Sequence, residues 1–112
     1  MSAGDDLLRT ATDVRADAVR HLTALAGNAS MCAIGRSGRS FPAAKYHEGR
    51  QSAAGDVRRV LRRGLVDVDG AVADVRRQWQ QTLADADAKG PDWVAYATGG
   101  LDALAEITAP NA

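Results

Sequence analysis

The chain has 112 residues, the length of one ordinary domain, and its 14 basic side chains balance 14 acidic ones. A net charge of zero argues against a generally basic nucleic-acid binder, and no apolar run approaches the ~20 residues of a membrane span. Alanine is the commonest residue at 23 copies, Leu, Val, Ile and Met together reach 22, and there are five aromatics, so the core buries little area per residue and self-association is expected to supplement it.

Twelve arginines against two lysines suit planar pairing with carboxylate or phosphate. The single cysteine, Cys32, allows no intrachain disulfide and points to a reducing compartment. The start, MSAGDDLLRT, lacks the basic-then-apolar pattern of a signal peptide, so a cytoplasmic location is expected. In that setting the sequon Asn28-Ala29-Ser30 carries no meaning.

The first predicted helix runs from about Asp5 to Ala26. Leu7, Ala11, Val14, Ala18, Leu22 and Leu25 recur in steps of three and four along one face. Asp5 and Asp6 open it, Arg20 and His21 lie toward its end, and Gly27-Asn28 supplies a stop.

From Gly27 to Phe41 the pattern lapses into a long connection. It holds the apolar run Met31-Cys32-Ala33-Ile34 and then Gly35-Arg36-Ser37-Gly38-Arg39-Ser40. Free glycine N–H groups and two arginines before a helix start make an anion site conceivable there. The run lacks the GxxxxGK[ST] spacing of a phosphate-binding loop, and a solvated loop is the plainer reading.

The second helix, Pro42 to Arg63, has Ser40 as a capping candidate, Pro42 in its first turn and Gly64 beyond its end. Ala43, Tyr46, Ala53, Ala54, Val57, Val60 and Leu61 form its apolar stripe, and Lys45, Ser52, Asp56, Arg59 and Arg63 a solvated one. Gly49 and Gly55 interrupt it, each unfavourable by roughly 1 kcal/mol relative to alanine. With Ala53, Gly49 predicts a tight helix crossing. His47 and Arg50 border the apolar stripe, and a buried arginine requires carboxylates from another helix or another chain. Arg58, Arg59, Arg62 and Arg63 complement the negative end of the helix dipole.

A third helix is expected from Asp67 to Lys89, with Val68, Val72, Val75, Trp79, Leu83 and Ala86 inward, Asp67 as N-cap and Gly90-Pro91 as terminator. Asp67-Val68-Asp69-Gly70 lacks the remaining ligands of a calcium loop. The fourth helix runs from Asp92 to Thr108, with Trp93, Val94, Ala97, Leu101, Leu104 and Ile107 inward, and Asp92, Asp102 and Glu106 outward. Gly99-Gly100 marks a kink, a close crossing or a pocket wall.

Short second and third connections favour antiparallel neighbours, so the expected fold is an all-α, four-helix, up-and-down bundle forming one domain. Charge is uneven: residues 1–34 sum to −1, 35–64 to +6, 65–90 to −2 and 91–112 to −3. No catalytic motif, cofactor fingerprint or metal-ligand spacing is present. His21 and His47 fall in one layer if the first two helices are antiparallel, and Cys32 would be the third ligand of a metal reading that lacks any supporting spacing.

The expected function is a non-enzymatic interaction module, without cofactor, metal or membrane partner, that forms a homodimer through its second helix. Tyr46, His47, Gly49, Arg50 and Ala53 are the interface candidates. One alternative is a nucleic-acid-associated regulator using Arg36, Arg39, Arg58, Arg59, Arg62 and Arg63. Another is a small-molecule pocket near His47 and Gly99-Gly100.

Overall fold

The apolar periodicities become four helices: α1 (Ala3–Asn28), α2 (Pro42–Arg62), α3 (Val68–Ala86) and α4 (Pro91–Thr108). The computed structural model describes residues 3–28, 41–64 and 67–109. The Met31–Ile34 run, Arg36, Arg39, Ser40 and most of the first connection lie outside the described residues.

Local signals place most helix ends. Phe41 occupies the N-cap of α2 without a side-chain cap, and its N–H donates instead to the Asp92 carboxylate at 3.1 Å, tying the start of α2 to the first turn of α4. Gly64 adopts φ 67°, the left-handed conformation that ends α2. Asp67 caps α3 by accepting from the Gly70 N–H at 2.9 Å.

Three boundaries differ from expectation by more than one residue. The first helix starts at Ala3 rather than Asp5 and continues through Gly27 to Asn28. α3 stops at Ala86 rather than Lys89, because the Lys89 and Gly90 N–H groups both turn back to the Ala86 carbonyl before Gly90 reaches φ 111°.

The helices alternate in direction. His21 and Asp17 of α1 meet His47 and Arg50 of α2, which makes those two antiparallel. Tyr46 and Arg50 meet Asp102 and Glu106, which sets α2 parallel to α4, and Arg76 of α3 reaches Thr108 of α4. The most extensive packing is between α2 and α4, followed by α1 against α2 and α3 against α4. The bundle is therefore all-α and up-and-down, with α2 and α4 as a central pair flanked by α1 and α3.

Small residues explain that centre. Gly49 lies against the Tyr96 carbonyl and Gly99 against the Tyr46 carbonyl, each so close that a Cβ would run into backbone. The two glycines make a reciprocal crossing in which each helix accepts the other's main chain. Gly100 lies beneath the Trp79 indole in the same way. Gly99-Gly100 thus produces contact rather than a kink: α4 is continuous from Pro91 to Thr108. The remaining core is Ala11, Val14, Ala53, Ala54, Val57, Val72, Val75, Trp79, Ala103, Leu104 and Ile107. No helix among the described residues is long and apolar enough to cross a membrane.

Candidate functional site

Two polar regions stand apart from this core, one on each side of α2. The first joins α1, α2 and α4 around Arg50. Its side chain is 8 % exposed and donates to Asp17 of α1 and Glu106 of α4, both at 3.0 Å. No carboxylate lies three or four residues from Arg50 along its own helix, so tertiary packing must supply the partners. Burial works against the guanidinium charge, but the hydrogen bonds that Arg50 donates to Glu106 and Asp17, with the charges of those two carboxylates, outweigh it and raise the Arg50 pKa. The same bond from Arg50 holds the Asp17 carboxyl below its ordinary range.

Beside this pair, His21 and His47 stack at 4.4 Å with their planes 13° apart. Burial, then the neighbouring His21 and Arg50, push the His47 pKa down. Because imidazole lone pairs lie in the ring plane, two nearly parallel rings do not aim at one ion. Cys32 lies outside the described residues, and among the described residues no group of three or more His, Cys, Asp or Glu could hold a metal. Tyr46 donates to Asp102 at 2.6 Å, and burial together with that bond raises its pKa to about 12. Arg50 with Asp17 and Glu106, and Tyr46 with Asp102, are thus paired with one another, as in a structural network.

Of the interface candidates, Gly49, Arg50 and Ala53 are buried within the chain, and Tyr46 and His47 are half-buried. The Gly/Ala face of α2 receives α4. The space expected for a pocket near His47 and Gly99-Gly100 is filled by the Tyr46 backbone and the Trp79 ring.

The second region is a groove of about 650 Å³ along the outer side of α2. Lys45, Glu48, Ser52, Gly55 and Arg59 form its floor, Arg15 of α1 one wall, and Trp79, Trp93 and Tyr96 the other. Trp93 corrects the sequence reading. Expected to point inward, it is 43 % exposed, packs edge-on against Tyr96 at 5.7 Å, and has the Lys45 and Lys89 ammonium groups 5.3 and 5.8 Å from its ring centre. Trp79 is the buried tryptophan, and its indole N–H donates to Asp56 at 2.9 Å. Asp56, expected on a solvated stripe, is thus half-buried and also pairs with Arg59.

Gly55 sits in this groove with nothing within 4 Å of where a Cβ would stand. Unlike Gly49, it is required by no contact within the described chain.

The arginine candidates divide. Arg59 is held by Asp56, while burial, then the charges of Arg62 and of Arg15, a residue the sequence reading missed, push the Arg58 pKa down. Arg36 and Arg39 lie outside the described residues. A signal for Arg15 existed. Arg9, Arg20, Lys45, Arg59 and Arg77 each pair with an acid three residues away, whereas Arg15, Arg50, Arg58 and Arg62 have none at helical spacing. Such arginines must look beyond their own helix.

No family, curated protein or solved structure matches this chain, so its functional reading rests on the two faces of α2.

Proposed function

We propose that the chain is a non-enzymatic, cytoplasmic interaction module that pairs with a second copy of itself through the outer groove of α2. The observation that carries this reading is Gly55, an in-helix glycine with no steric need for being one, at the bottom of a groove rimmed by an exposed tryptophan. A glycine there is unfavourable to the helix by roughly 1 kcal/mol and admits a close-packed neighbour.

Charge favours a second copy in antiparallel orientation. Glu48 and Trp93 lie toward the start of α2, whereas Arg58, Arg59, Arg62 and Arg63 crowd its end. Setting Ser52 of each copy opposite Gly55 of the other brings Glu48 opposite Arg59. It also points the arginine-rich end of each helix toward the other copy's Trp93. The symmetric arrangement makes every favourable pair twice. The Arg50 network supports the non-enzymatic part of the reading, since its groups are committed to one another.

Light scattering after size exclusion, over a range of protein concentrations and salt, tests the proposal. A dimer that loosens as salt rises is the expected result. A monomer at every concentration contradicts it.

A further inference from the structure

The chain has two histidines, and the antiparallel packing of α1 and α2 lays them face to face, 4.4 Å apart and 13° from parallel. Their partners fix where each neutral ring carries its proton. Arginine only donates, so the His47 Nδ1, 3.4 Å from the Arg50 Nη1, is a bare acceptor and the His47 proton sits on Nε2. A carbonyl only accepts, so His21, whose Nδ1 lies 2.9 Å from the Asp17 carbonyl, carries its proton on that nitrogen.

A second proton on His47 must therefore enter at Nδ1, against the Arg50 N–H. Arg50 cannot yield, because it keeps its charge and is bonded to Asp17 and Glu106, both at 3.0 Å. The other groups around the ring offer little relief. His21 of α1 covers one face, and Tyr46, packed edge-on at 5.2 Å, is committed to Asp102 of α4. Asp17 favours a charge on His47, but it already answers Arg20, His21 and Arg50, and Glu106 of α4 is held by Arg50. To become charged, the His47 ring has to leave its place.

The end of α1 has little else to hold it. Ala11, Val14 and Ala18 are buried, but from Val19 to Leu25 no α1 side chain is, and Leu22 and Leu25 are only half-buried. We infer that the His21–His47 stack is an acid-sensitive latch: a proton taken up at His47 Nδ1 turns that ring away from Arg50 and releases the last turns of α1 from α2, while the α2–α4 crossing at Gly49 and Gly99 stays closed. The latch works within one chain, whether or not two copies pair through the outer groove.

Amide hydrogen exchange of the intact protein at about pH 7.5 and about pH 5, corrected for the intrinsic effect of pH on exchange, tests the latch. His47 has a lowered pKa in the folded chain, so the release develops as the pH falls below the ordinary value near 6.5. In the acid sample the amides of residues 20–25 are expected to lose protection about fivefold or more, and those of Ala103 to Ile107 in α4 to keep theirs. His47→Gln, which keeps an acceptor near Arg50 but does not titrate, should make the protection of residues 20–25 independent of pH. In the parent, nitrogen NMR of the rings should find His47 Nδ1 bare at the higher pH and gaining its proton over the range in which α1 loses protection. Unchanged protection of residues 20–25 in acid overturns the inference. So does a loss shared equally by α4, which would mark general acid unfolding, a loss that persists in His47→Gln, or a His47 Nδ1 already protonated at the higher pH.

Discussion

Gly49 and Gly55 stand six positions apart on one helix, and the composition around them hardly distinguishes them. Their surroundings in the bundle are opposite. A side chain at Gly49 would enter the main chain of α4, whereas a side chain at Gly55 would enter open groove. The inner face of α2 is therefore consumed by the fold: backbone meets backbone, Arg50 finds Asp17 and Glu106, and Tyr46 finds Asp102. The outer face keeps a glycine with no internal use, an exposed Trp93 and a set of charges divided along its length. Glycine in a helix thus signals close approach without saying by whom.

The largest effect should come from breaking the inner face. Gly49→Val forces α2 and α4 apart against backbone that cannot rotate aside, and a loss of about 3 kcal/mol or more in urea unfolding is expected. Gly99→Ala should act through the same crossing. The double variant Gly49→Ala/Gly99→Ala should lose less than the sum of its single losses, since the first substitution already separates the helices.

Next comes Arg50→Ala, with an expected loss of about 2–3 kcal/mol. Asp17 and Glu106 lose their partner, but both carboxylates reach solvent, which keeps the figure below that of a fully buried pair. Arg59→Ala on the outer face should change stability by less than about 1 kcal/mol, because its own side chain is exposed.

The inner face should also impose a pH dependence. His47 has a lowered pKa in the folded chain, so its stabilising contribution is complete above the unfolded value near 6.5 and is lost as the pH falls through the lower folded value. His47→Gln should flatten the stability profile in that acid window. Tyr46 behaves oppositely. With its pKa raised to about 12, its contribution is complete below pH 10 and is lost as the pH rises from 10 to about 12, a decline that Tyr46→Phe should remove. Denaturant midpoints measured across pH check both signs. The smallest effect is Gly55→Ala, expected to stabilise the isolated chain by about 0.5–1 kcal/mol.

The helices were legible because their periods and punctuation agree: Pro42, Gly64, Asp67 and Gly90-Pro91 act within a few residues of where they stand. The need of Arg50 for carboxylates was legible too, from its place beside an apolar stripe. Which carboxylates answer it depends on the register of three helices, and no local pattern encodes that. Trp93 misled because an aromatic in a helix's apolar row normally faces the core. Here Tyr96 and Trp79 take that space, and Trp93 is left at the rim. Arg15 was passed over in the sequence, although it has no acid at helical spacing, because only the packing of α1 beside α2 sets it in the wall of the groove.

The most direct test of the two-faced helix is the solution mass of Gly55→Leu beside that of the parent chain, with urea unfolding of both at high dilution. A parent dimer, a monomeric variant, and an unfolding midpoint for the variant no lower than that of the dilute parent are expected. A Gly55→Leu chain that remains dimeric, or that unfolds more easily when dilute, would mean that the outer face is not where two copies meet.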